Sequence, residues 1–209
     1  MKSFIQIGRL LRAGVRGFVA GCTVDRIDLP RFGALVRVPL AGDLEAVGLI
    51  YDIHVDDDGL VRQLAAASEV LPSTIQDAQV NRNVPLEISV LTIGHLRSGA
   101  FSPALPPRPP LSLNEIFLCT EEEISKFTGG GQYGYFRHFL HHPDLPLEDV
   151  LVAHLAQTQP IHRGSGNPDW IQGAVRELVV LLREDYQRLM GVMYSLRDLK
   201  FESIQLEVE

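Results

Sequence analysis

The residues best suited by type and spacing to do chemistry are His138, His141 and His142, within Tyr135-Phe-Arg-His-Phe-Leu-His-His142. Steps of three and four residues along a helix place imidazoles on neighbouring positions, where they can share a metal ion. Metal-assisted hydrolysis in an HExxH helix also needs a general-base glutamate between the ligands. Phe139 and Leu140 stand there instead, and Pro143 ends the helix at once. The spacing therefore predicts capping or solvated histidines, with a metal-dependent enzyme built on the three as the alternative. His154, set among Val150, Leu151 and Leu155, reads as a semi-buried histidine with its hydrogen bonds satisfied.

The other constellations are weaker. Gly129-Gly-Gly-Gln-Tyr-Gly134 lacks the Gly-Lys-Ser/Thr of a phosphate loop and follows no convincing strand, so it reads as a connector. Asp56-Asp-Asp-Gly59 has no later glutamate at the spacing of a calcium loop and reads as a solvated hairpin turn. Cys22 and Cys119 are the only cysteines, far apart and without metal-ligand spacing, which points to reduced, buried thiols. No catalytic, cofactor or metal site is assigned on these grounds.

Composition narrows the class further. At 209 residues, 45% hydrophobic and 22% charged, the chain has enough apolar material for a substantial core. A net charge of −7 weighs against a general nucleic-acid binder, although a local basic stripe is carried by Arg9, Arg12 and Arg16. Those same arginines interrupt the apolar run after Lys2 that a signal peptide would need. The expectation is a cytoplasmic protein with no membrane span.

The elements that must position these residues fall into two parts. Residues 1–102 read as short strands: Phe4–Gly8, Val15–Cys22, the run from Ala34, the period-two run Val47, Leu49, Tyr51, Ile53 and Val55, a return strand over Leu60–Ala66, and Val84–Ile93. Glu69–Val80 reads as a short helix or loop. Five or six strands without a long intervening helix predict a small antiparallel barrel. Five prolines in the nine residues Ser102–Pro110 predict a semi-rigid strap over 103–111. Beyond it, 112–209 reads as helical. Ser112-x-x-Glu115 and Thr120-x-x-Glu123 are capping boxes, and Asn167-Pro-Asp169 starts one long helix over about 168–197. The fold class is thus α+β. Ile171, Val175, Leu178, Leu182, Leu189, Val192 and Leu196 form a heptad-like seam on that helix, interrupted at Asp185. Leu182, Leu189, Val192 and Leu196 are the expected partner-binding residues, with packing inside the chain an equal alternative. Ile204, Leu206 and Val208 suggest a terminal strand.

The runs Gly33-Ala-Leu-Val-Arg-Val-Pro-Leu40, Ala46-Val-Gly-Leu-Ile-Tyr-Asp-Ile53 and Asn83-Val-Pro-Leu-Glu-Ile-Ser-Val-Leu-Thr-Ile-Gly94, followed by Leu105-Pro-Pro-Arg-Pro-Pro-Leu111, resemble the HAS barrel. This is the N-terminal barrel of HerA-type hexameric translocases, similar in turn to the N-terminal domain of rotary ATP synthase α and β subunits. Members of that family continue into an ATPase with Walker motifs. Here a helical region without them follows, so ATPase activity is not carried over. The resemblance implies a non-enzymatic assembly factor or docking protein, bound to a ring ATPase or one of its subunits, or self-associating as a homo-oligomer; a nucleic-acid adaptor is a further alternative.

Overall fold

A computed structural model of the chain describes residues 4–22, 30–55, 86–131, 133–143 and 145–198. The strands β1 (Gln6–Ala13), β2 (Gly17–Cys22), β3 (Leu35–Pro39), β4 (Leu44–Val55), β5 (Leu86–Arg97), β6 (Ala100–Ser102) and β7 (Glu115–Leu118) form a sheet in the order β2-β1-β7-β3-β4-β5-β6. Because β2 also pairs with β5, six of them close into an antiparallel barrel. Closure gives both sides of these six strands a hydrogen-bonded neighbour, which removes the open sheet edge. β6 lies outside the ring as a short hairpin partner of β5.

Alternation of side chains across the strands builds two cores. Ile7, Leu10, Phe18, Ala20, Val36, Val38, Ala46, Ile50, Ile88, Val90 and Ile116 fill the barrel. Gly48 faces inward among them: a Cβ there would stand 2.3 Å from Val90 Cγ1, so the lumen has no room for one. Leu35, Val47, Leu49, Leu91, Ile93 and Leu96 point outward into a second core shared with the helices. β3, β4 and β5 are apolar on both faces for this reason, and their sequences read as continuous hydrophobic runs there.

The period-two run on β4 does not keep to one face. Val47, Leu49 and Tyr51 face the helices, but Ile53 packs into the barrel. An irregularity in the β4–β5 register between Ile50 and Asp52 accounts for the switch, since one extra residue turns every later side chain to the other face.

The helices are α1 (Glu121–Thr128), α2 (Phe136–Leu140), α3 (Leu147–Gly164), α4 (Trp170–Leu181) and α5 (Tyr186–Asp198). α1 begins as its sequence predicts: Thr120 Oγ1 accepts from Glu123 N (3.3 Å) and Glu123 Oε2 accepts from Thr120 N (2.8 Å). Three expectations are corrected. The box at Ser112 opens no helix; Leu113 has φ +69° and the chain turns directly into β7. β7 lies between β1 and β3, so the barrel extends beyond 102 and the strap is an insertion within it. Finally, the long helix over 168–197 is two helices. Asp185, the polar interruption of the seam, is the reason: its Oδ1 accepts from Arg188 N (3.1 Å), a cap that starts α5 afresh. Asn167 likewise precedes a turn, and α4 begins only at Trp170. The expected hairpin at Asp56–Gly59, the strand over Leu60–Ala66, the segment Glu69–Val80 and the terminal strand lie outside the described residues.

Candidate functional site

The three histidines on and after α2 are held by separate partners. His138 donates from Nε2 to the carbonyl of Pro103 (2.7 Å), which also accepts from Arg137 Nη2 (2.7 Å). His95 Nδ1 donates to the carbonyl of Ala104 (2.8 Å). The strap is pinned through its carbonyls in this way, because prolines leave it few donors of its own. Burial lowers the pKa of His138, with Arg137 and His141 acting in the same direction and the Pro103 bond opposing. His141 donates from Nδ1 to Arg137 O (2.6 Å), back onto its own helix. His142 faces the barrel instead, its ring 5.1 Å from that of Tyr51. Among the described residues, no three His, Cys, Asp or Glu side chains are grouped to hold a metal ion.

His142 and Tyr51 line a pocket of about 290 Å³ whose other wall is the β1–β2 turn, with Arg12, Gly14, Arg16 and Gly17. Two of the three arginines of the basic stripe thus converge with one of the three histidines. Arg9 is engaged elsewhere, donating to Leu113 O (3.0 Å) and pairing with Glu115 (2.8 Å).

Two more histidines belong to the interior. His154, on α3, is fully buried; Nδ1 lies 3.4 Å from Gly33 O and Nε2 lies 3.0 Å from the Tyr135 hydroxyl. A carbonyl only accepts, so Nδ1 carries the proton and Nε2 receives the Tyr135 O–H. Burial pushes the pKa of His154 down to about 4. His162 stacks on Trp170 at 4.5 Å between ring centres. Thr128 spends its hydroxyl proton on Ile124 O (2.7 Å), so His162 Nε2 donates to Thr128 Oγ1 (2.7 Å). Trp170 closes the set by donating to Thr128 O (2.6 Å). The sequence reading of His154 as internally satisfied matches its surroundings; nothing in the spacing of Thr128, His162 and Trp170 announced the second group.

Arg37, on β3, carries a third buried polar set. It pairs with Glu45 (2.5 Å) and Glu123 (3.2 Å) and lies 4.2 Å over the ring of Phe4. Glu123 thereby both caps α1 and fastens it to the barrel. Cys22 and Cys119 are free thiols. Burial raises both pKa values, that of Cys22 to about 11, so at neutral pH neither is an activated nucleophile.

The seam residues turn inward. Leu182, Val192 and Leu196 are buried and Leu189 packs against the same cluster, so all four belong to the core shared with α3 and the barrel. The outer side of α4 and α5 exposes other apolar residues: Val179 (41%), Val180 (55%), Leu181 (37%), Tyr186 (71%) and Tyr194 (55%). Arg183 and Glu184 stand in the turn between them, both largely exposed.

No protein-family model matches the chain, and no curated protein is similar to it in sequence. What the chain displays is a closed six-stranded antiparallel barrel with a helical layer over the outer face of β3, β4 and β5. No described helix is long and apolar enough to cross a membrane.

Proposed function

We propose that the chain is a cytoplasmic docking or assembly module that binds a partner protein, a ring ATPase or one of its subunits being the first candidate, or associates with a second copy of itself. The reading is of a non-enzymatic protein of HAS-barrel type. The observation that carries it is the exposure of five large apolar side chains on α4 and α5, although the seam of the same helices is already used inside the molecule. Two of the five are tyrosines, a residue type enriched in protein interfaces, and a charged turn runs beside them. The implied architecture, a small antiparallel barrel, agrees with the closed barrel described above.

The test is a double variant, Val180→Asp with Tyr186→Ser. Both positions are exposed, so circular dichroism and the unfolding midpoint should match wild type. Self-association in light scattering, or a protein retained on affinity capture from the native cell, should be lost. A wild-type chain that is monomeric and retains nothing the variant fails to retain would remove the docking role.

A further inference from the structure

Among the described residues, the pocket beside the β1–β2 turn is lined by two cationic side chains and no carboxylate. Arg12 and Arg16 line one side of it, and Tyr51 and His142 the other. Arg12 and Arg16 form no ion pair among the described residues, whereas Arg9 on the same strand is paired with Glu115 and Arg37 with Glu45 and Glu123. In a chain with a net charge of −7, two guanidiniums lining one pocket with no carboxylate beside them among the described residues make a local cationic spot. The opposite wall includes His142, whose Nδ1 is buried within the chain without a hydrogen-bond partner. Tyr51 adds the one other side-chain donor among the lining residues.

We propose that this pocket binds a small phosphate-class oxyanion, with Arg12 and Arg16 as the charged forks and His142 and Tyr51 as the facing donors. Guanidinium pairs favour oxyanions because their N–H groups match the spacing of two oxygens. A volume of about 290 Å³ admits inorganic phosphate or a short phosphate ester and is small for a nucleotide. The site is independent of the docking surface on α4 and α5.

The test is calorimetric titration of the full chain with inorganic phosphate at low salt, against sodium chloride of equal ionic strength. Saturable binding is expected for phosphate alone, together with a movement of the His142 side-chain nitrogen resonances. Arg12→Gln and Arg16→Gln should each weaken binding by about tenfold, the usual effect of losing one charge-assisted contact. Arg9→Gln, three residues before Arg12 on the same strand, should leave it unchanged. A parallel titration with glycerol phosphate identifies the source: equal affinity assigns the site to phosphate esters, and binding of the inorganic ion alone assigns it to free phosphate. Chloride binding as well as phosphate, Arg9→Gln weakening binding as much as Arg12→Gln, or full affinity in the double arginine variant with unchanged circular dichroism would each overturn the proposal.

Discussion

His154 is neutral because of where the chain puts it: buried, with Nδ1 committed to Gly33 O and Nε2 to Tyr135. Its folded pKa of about 4 lies below the ordinary value of 6.5. Between those two values the unfolded chain takes up a proton that the folded chain refuses, so stability is complete above pH 6.5 and falls as the pH drops towards 4. By pH 5 the loss from this one group comes to about 2 kcal/mol. His162 is shifted in the same direction by burial and adds to the loss. Urea midpoints measured at pH 7.5 and 5 should reveal it, and His154→Gln should flatten the difference; a wild-type midpoint unchanged across that range would refute the account. Gly33 offers a second test at this scale. It has φ +84°, and a Cβ would come within 2.7 Å of Ala153 Cβ and 2.8 Å of the α3 backbone. Gly33→Ala should therefore cost about 2–4 kcal/mol in denaturant unfolding, through backbone strain and displacement of α3.

At the scale of elements, two neighbouring residues separate core from surface. Leu182 is 4% exposed and Val180 is 55% exposed. Leu182→Asp buries an unpaired charge and should cost several kcal/mol, enough to unfold a marginal domain, while Val180→Asp should change stability by about 0.5 kcal/mol or less. Equal effects in thermal melts would mean that the seam is not interior. The same helices mark what was legible in the sequence. The barrel strands, the Thr120 cap and the apolar seam follow from local periodicity and hydrogen-bonding chemistry, which act over a few residues. The split of the long helix was encoded too, in Asp185, whose side chain serves as a cap only because the helix restarts there. What stayed hidden depends on distant partners. Glu115–Leu118 becomes a strand because β1 and β3 leave a gap for it, overriding the capping pattern at Ser112. The meeting of Arg12 and Arg16 with Tyr51 and His142 joins three separate stretches of chain. Both the arginine stripe and the histidine stood out by composition, and only the fold brings them to one pocket.

Across the whole molecule, barrel and helices share a core. Val47, Leu49 and Ile93 from the barrel lie in the same cluster as Tyr135, Phe139, Leu151 and Trp170 from the helices. Two parts that bury each other's apolar surface unfold together. Trp170 is the only tryptophan and sits wholly in the helical layer, so its fluorescence reports that layer while far-ultraviolet circular dichroism averages over both. The two denaturation curves should coincide, and separate midpoints would show that the strap divides independent domains after all. Closure of the ring by β7 also bears on how the protein is made. β1 pairs with a segment more than a hundred residues later, Gln6 with Phe117, and the facing edge of β3 waits for the same strand. While the ribosome is still adding the intervening stretch, both edges present free backbone donors and acceptors to any neighbouring nascent chain. A fragment ending at residue 102 would keep them open permanently, and the cell would meet it as a substrate for chaperones and proteases.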